Sequence, residues 1–241
     1  MRFDIYRDKN VFVTGATGGL GREICILLAH HGCNIFMTST NKQKLEDLKN
    51  IIKSQSRVDV SYCVGDLKNT EDIQAVCDSV LQVYGDETDI VVNCAGIFPL
   101  KSLTDTTLED YERCMNINVK APFIFAKRLV IGMKKRQWGR IMNIGSSSAY
   151  GGSADAGLYC VSKHALLGLS RSLYQELKEK NIRVYSYSPG SIRTPMGATD
   201  KRQDFSTFLD PKEVAEYVAF MMSYDSELIS EEVRVNRIVI R

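Results

Sequence analysis

Tyr159 and Lys163 stand four residues apart in GLYCVSKHAL (157–166), where small residues give way to an apolar run. On a helix, residues at that spacing share a face. A free phenol ionises at about pH 10, too high for a good base near neutrality. A cation beside it stabilises the phenolate and lowers that value. The spacing therefore suits an acid and the group that tunes it, although the same pair on a solvated helix face would do nothing. A second stretch with chemical possibilities is TGATGGLG (14–21), where Gly15, Gly19 and Gly21 are the spaced glycines and Thr17 adds a hydroxyl. Glycines allow a tight turn and a close approach of backbone to phosphate oxygens. A helix opening there would face an anion with free N–H groups and the positive end of its dipole.

The elements that must position these residues follow from the hydrophobic pattern. Short β-branched runs recur as NVFVTG (10–15), NIFMTS (34–39), VDVSYCV (58–64), DIVVNCAG (89–96), GRIMNIGS (139–146), IRVYSYSPG (182–190) and EVRVNRIVI (232–240). The first six read as strands buried on both faces. Segments of helical spacing separate them. In GREICILLAHHG, Ile24, Leu27, Leu28 and His31 fall on one face; two longer helices are expected over 107–136 and 157–180. DPKEVAEYVAFMM opens with Asp210 as N-cap and Pro211 at the first helical position. Alternating strands and helices imply right-handed crossovers and a parallel sheet covered on both sides, an α/β fold. Ligands in such folds bind at the carboxyl ends of the strands. The glycine stretch follows the first strand and opens the first helix, the context a phosphate-binding turn requires.

Composition narrows the function classes. The chain has 241 residues, 44% hydrophobic and 25% charged, with 31 basic and 29 acidic residues and a net charge of +2. That balance leaves no electrostatic footprint for nucleic acid. Seven cysteines occur without a C-x-x-C pair, and there are only three histidines. The cysteines read as small buried hydrophobes of a reducing, cytoplasmic compartment, and no metal site is expected. The N-terminus carries no long apolar run, so neither a signal peptide nor a membrane span is expected.

Further motifs follow in order: GDL (65–67), NCAG (93–96), NINVKAPF (116–123), IGSSSAYGG (144–152), YCVSK (159–163) and SPGSIRTPM (188–196). With T-G-x-x-x-G-x-G at the start, this series resembles the short-chain dehydrogenase/reductase family, over about residues 8–223. Within it the chain is similar to 3-oxoacyl-carrier-protein reductase-like members. The resemblance implies a single Rossmann-type domain over 1–241 with a mostly parallel seven-stranded sheet in the order 3-2-1-4-5-6-7, helices on both faces, and a short substrate-covering segment at 196–210.

The resemblance also implies site residues. Tyr159 is the acid/base; Lys163 lowers its pKa and holds the nicotinamide ribose; Ser146 holds the substrate oxygen; Asn118 positions a relay water. Ser147 and Ser148 are neighbours of Ser146, and Asn116 is the nearest rival of Asn118. Cofactor contacts fall on Gly15, Thr17, Gly18, Gly19, Leu20 and Gly21, then on Ser39, Thr40 and Asn41, on Asp66 and Leu67, and on Asn93, Ala95 and Gly96. Pro189, Gly190, Ile192 and Thr194 complete them, with Tyr159 and Lys163. Substrate contacts fall on Ser146, Tyr150, Tyr159 and Met196.

Carbonyl reduction needs a hydride on carbon and a proton on oxygen; nicotinamide supplies the first and a protein acid the second. An Asp or Glu at the end of the second strand would repel a 2′-phosphate. Ser39, Thr40, Asn41 and Lys42 stand there instead, which favours NADP(H) over NAD(H). The resulting expectation is an NADPH-dependent carbonyl reductase acting on a small ketone or secondary alcohol, of the 3-oxoacyl-carrier-protein reductase or sugar-pathway kind. The alternative is a non-catalytic dinucleotide-binding sensor or scaffold, a class that tends to lose the Tyr, Lys or Ser. An extended nucleotide-sugar enzyme would need more chain than residues 191–241 supply. Lys201 and Arg202 could meet an anionic substrate, or merely water. The tail, SELISEEVRVNRIVIR (226–241), departs from the family's glycine-rich D-G-G ending. Family members commonly associate through the two long helices, so a homodimer or homotetramer is expected.

Overall fold

The computed structural model describes residues 3–238. The strands are β1 (Asn10–Thr14), β2 (Asn34–Ser39), β3 (Val60–Val64), β4 (Ile90–Asn93), β5 (Gly139–Ile144), β6 (Ile182–Pro189) and β7 (Glu232–Val235). The helices are α1 (Gly19–His30), α2 (Lys42–Gln55), α3 (Thr70–Tyr84), α4 (Leu108–Met115), α5 (Ala121–Arg136), α6 (Gly157–Leu177) and α7 (Pro211–Met222). The sheet order is β3-β2-β1-β4-β5-β6-β7, and all six pairings are parallel. The order reverses between β1 and β4, so a crevice opens beyond their carboxyl ends, directly after Thr14 and Asn93.

Alternation along each strand explains the continuous apolar runs. Val11 and Val13 of β1 join Ile24, Leu28, Leu45, Val214 and Val218 in one core under α1, α2 and α7. Phe12, between them, joins Ile73, Val76, Phe125 and Leu129 in the opposite core under α3 and α5. Successive strand residues point to opposite faces, so a strand between two helix layers must be apolar at every position. Phe12 meets Phe36 and Phe125 edge-on there, at ring distances of 5.9 and 5.0 Å.

Three expectations need correction. β3 is not buried on both faces: only Val60 is buried, and Val64 is 50% exposed. It is one of the two edge strands, with one neighbour and incomplete helix cover. In α1 the buried positions are Leu20, Gly21, Ile24, Cys25, Leu28 and Ala29; Leu27 and His31 flank that face rather than centre it. The helix expected over 107–136 is two helices, α4 and α5, joined by a π turn over Asn116–Lys120. Of the tail run 232–240, Glu232–Val235 form β7, and residues 239–240 lie outside the described residues. Asp210 does cap α7, accepting from Lys212 N at 2.8 Å, with Pro211 next.

Candidate active site

The turn after β1 depends on absent side chains. Gly15 has φ +63°, and a Cβ there would lie 2.7 Å from Ala95 Cα. A Cβ on Gly21 would lie 2.3 Å from the Gly15 carbonyl oxygen, so α1 can begin directly against the turn. Gly18 is the N-cap of α1 and has no side chain to cap it, so the opening N–H groups are left to the cleft. Thr14 closes the switch point: its Oγ1 accepts from Cys94 N (3.1 Å) and Ala95 N (3.0 Å), tying β1 to the end of β4. Thr17 Oγ1 and Ser39 Oγ share a hydrogen bond that ties the turn to β2.

These groups open into a cleft of about 710 Å³. One end is lined by Gly15, Thr17, Gly18, Gly19, Leu20 and Gly21, with Lys44. The middle is lined by Cys94, Gly96, Ser146, Tyr159 and Lys163; the end of β6 contributes Pro189, and the loop after it Gly190, Ile192, Thr194 and Met196. An uncapped helix N-terminus, glycines that leave no room for a Cβ, and a cleft this long fit a dinucleotide laid from the turn towards α6.

At the middle of the cleft, Ser146 stands two residues after β5 and accepts from Ser148 N at 3.1 Å, which fixes its hydroxyl at the start of a short 3-10 turn. Lys163 is 5% exposed and donates through Nζ to the Ile144 carbonyl at 2.8 Å. Burial lowers its ammonium to about 8. Tyr159 packs edge-on against Phe98, ring centroids 4.7 Å apart. Burial pushes its phenol up to about 12, with the Ser146 hydroxyl working the other way. Lys163 Nζ stands 5.6 Å from the Tyr159 ring centroid and is committed to the Ile144 carbonyl. The desolvation of the phenol thus outweighs any pull from the ammonium, the reverse of what the i,i+4 spacing alone suggests.

Asn118 is 1% exposed and lies in the π turn. Its Oδ1 accepts from Ile97 N (2.9 Å), and its Nδ2 donates to the Ile97 carbonyl (3.0 Å) and to Ser162 Oγ (3.0 Å). The side chain therefore staples the segment after β4 to the N-terminal part of α6. The π turn has its own cause. Ala121 N–H reaches back five residues to the Asn116 carbonyl, and Pro122 has no N–H, so the Asn118 carbonyl lacks its ordinary helical donor.

A sequence profile of the family described as short chain dehydrogenase matches residues 9–204, from β1 through the segment after β6. The chain belongs to that family. Its relatives include an oxidoreductase of Thermotoga maritima, 32% identical over 78% of this chain and 74% of the relative. A second is the 3-oxoacyl-[acyl-carrier-protein] reductase of Rickettsia felis, 30% identical over 95% of each. Among solved structures, a metagenomic short-chain oxidoreductase in complex with NADP superposes with a TM-score of 0.84 at 25% identity, over 97% of this chain and 100% of that one. This short chain dehydrogenase is an oxidoreductase that works with a nicotinamide cofactor.

The family motifs converge unevenly in this short chain dehydrogenase. Ser146, Tyr159, Lys163, the glycine turn, Gly96, Met196 and the residues after β6 all line the cleft. Asn93 does not: it is 3% exposed and donates to Asn143 Oδ1 at 2.7 Å inside the sheet. Leu67, 5% exposed, packs in the core with Phe12 and Phe36. Asn41 caps α2 through Lys44 N (2.9 Å), Thr40 is exposed, and Asp66 pairs with Lys68 at 3.3 Å. Ala95 carries no lining side chain, but its main chain is the floor against Gly15. Tyr150 points away from the cleft to Glu232, donating at 3.0 Å. Sequence reasoning missed Lys44, Phe98, Asp200, Gln203, Arg234, Asn236 and Arg237, all in the cleft wall. Its place could have marked Lys44, three residues past Asn41 in the first turn of α2, where a basic side chain stands at the start of the helix. Nothing local marks the rest.

Proposed function

We propose that this short chain dehydrogenase is an NADPH-dependent carbonyl reductase for a small ketone, reversible towards the secondary alcohol. One observation carries the reading: a phenol, a buried ammonium and a serine hydroxyl meet in the cleft that the uncapped N-terminus of α1 also faces. The nicotinamide, when bound, supplies the hydride. Gly18–Gly21 and the α1 N-terminus would hold its diphosphate, and Lys163 its ribose. Ser146 donates to the substrate oxygen and orients the carbonyl. Tyr159, protonated near neutrality as any phenol is, gives its proton to that oxygen as negative charge develops there, leaving an alcohol and a phenolate. Lys163 then faces a charge instead of a neutral ring, which is where its ammonium acts most strongly. The Asn118 carbonyl, deprived of a helical donor by Pro122, is free to accept from a water that relays the returning proton.

Lys44 in the cleft wall, with no acid at the end of β2, supports NADP(H) over NAD(H). The name of the Rickettsia relative supports a 3-oxo substrate, with other small ketones open. Exposed Tyr111, Phe123 and Val161 on α4, α5 and α6 support association of copies through these helices. The test is Tyr159→Phe, which keeps the ring and removes the proton. NADPH binding by fluorescence should stay within about twofold of wild type, while turnover falls at least about a thousandfold, the scale of a lost general acid. Turnover near the wild-type rate would refute the mechanism.

A further inference from the structure

The wall of the cleft away from the glycine turn is built by the tail, where the sequence departs most from the family pattern. β7 and the residues after it bring Arg234, Asn236 and Arg237 to the cleft. Arg234 sits opposite Ser188 of β6, and its guanidinium lies over the Tyr150 ring, 5.1 Å from the centroid. Tyr150 follows the short turn that begins at Ser146. Glu232, two residues earlier on the same side of β7, is the obvious carboxylate for Arg234. It is already taken: Arg171 holds it by two bonds, 2.7 and 2.8 Å, and Tyr150 donates a third.

Among the described residues the hydrogen-bond acceptors of Arg237 are neutral, Thr207 Oγ1 at 2.8 Å and Gln203 Oε1 at 2.9 Å. The nearby acids are occupied. Asp200 accepts from Arg202 and Gln203, and Asp204 accepts from Ser206, though the charge of Arg237 helps hold its carboxyl below the usual range. Among the described residues no carboxylate stands at ion-pair distance from Arg234 or Arg237. Arg202, the tempting basic residue of the sequence, is spent on Asp200 and Asp155.

A guanidinium presents a planar fork matched to carboxylate and phosphate oxygens. The dinucleotide's own diphosphate falls to the glycine turn at the other end of the cleft, so it does not use this fork. We propose that Arg234, with Arg237 also in the cleft wall, is the specificity-determining residue that binds an anionic group of the substrate, a carboxylate or phosphate carried on the molecule whose carbonyl meets Ser146 and Tyr159. The inference rests on the carbonyl-reductase reading above. Tyr150 then serves as the platform under Arg234, and Arg171 serves to keep Glu232 from claiming it.

The test uses the NADPH-loaded protein and matched ligands: short 2-oxo and 3-oxo acids with their methyl esters, and phosphorylated hydroxyketones with their unphosphorylated parents. Binding is read by quenching of cofactor fluorescence, and turnover by loss of NADPH absorbance. The anionic member of at least one pair should bind at least about tenfold tighter than its neutral partner, the scale of a charge-assisted pair. Which arm shows this names the anion. Arg234→Gln should abolish the preference and Arg234→Lys should keep part of it, with NADPH affinity unchanged in both. A purely structural arginine would not track charge in this way. If NADPH binds but no anion is preferred over its neutral partner, or no ligand of either kind binds, the inference is overturned. The same holds if Arg234→Gln keeps the preference. Failure to bind NADPH at all would instead overturn the carbonyl-reductase reading itself.

Discussion

Lys163→Met should make the cofactor-free protein more stable at neutral pH, and the gain should disappear as pH rises. Lys163 is 5% exposed, and burial lowers its ammonium from 10.5 to about 8. Between those two values the unfolded chain binds a proton that the folded chain does not, so wild-type stability rises with pH across that window. Below about 8 the folded protein carries the buried charge and bears the full penalty. At about 1.4 kcal/mol per pH unit, the displacement from 10.5 to about 8 is worth roughly 3 kcal/mol. Methionine keeps most of the side-chain volume and has no charge to desolvate. It also strands the Ile144 carbonyl that Nζ now meets at 2.8 Å, a loss of about 1 kcal/mol. The variant should therefore gain about 2 kcal/mol at pH 7, a rise of about 4–8 °C in Tm for a chain this long. From pH 7 to pH 10 the difference should fall by roughly 2.5 kcal/mol, because the folded lysine becomes neutral while the unfolded one is still mostly charged. Urea unfolding of both proteins at several pH values, at fixed ionic strength and without cofactor, measures this directly. A difference that does not change with pH would refute the reasoning, whatever its size, since only the titration of a buried amine produces the slope.

Further outcomes follow from other contacts. Gly21→Ala places a methyl 2.3 Å from the Gly15 carbonyl oxygen, so it should cost about 1–3 kcal/mol in chemical denaturation and weaken NADPH binding by fluorescence titration. Asn118→Ala leaves both main-chain groups of Ile97 without their present partner, and a loss of about 2–4 kcal/mol in thermal unfolding is expected. Lys44→Ala should raise the Kd for NADPH several-fold and leave that for NADH within about twofold, because only the former carries a 2′-phosphate for the cation to meet; equal effects on both cofactors would remove Lys44 from the 2′-phosphate site.

Much of the fold was legible because burial writes a pattern into sequence. Runs such as NVFVTG and DIVVNCAG must be apolar at every position when helices cover both faces, and β1 and β4 are so covered. The edge strand β3 broke that rule because edge position is a property of strand order, which its own residues do not carry. The π turn at Asn118 was hidden for a different reason. Its sequence is that of an ordinary helix, and only the missing N–H of Pro122, read together with the staple to Ile97, explains it. At the site, Tyr159, Lys163 and the spaced glycines, singled out in the sequence by their spacing, do line one cleft. Asn93, Asn41 and Tyr150 do not: each can serve a ligand or satisfy its neighbours, and Asn143, Lys44 and Glu232 claim them instead.

By itself the sequence determined the alternation that makes a parallel sheet and the glycine turn, because each rests on spacing within one element or at its end; the four residues offered for catalysis came from the order of motifs that resembles the family. Only the tertiary structure decided the electrostatics and the far wall of the cleft. Whether Lys163 pulls on Tyr159 depends on the Ile144 carbonyl and on how deeply both are buried. Whether Arg234 has a charge to spare depends on Arg171, far away in the chain, having reached Glu232 first. Such outcomes turn on distances between residues that the chain brings together only when folded, and electrostatic energies change with both distance and burial.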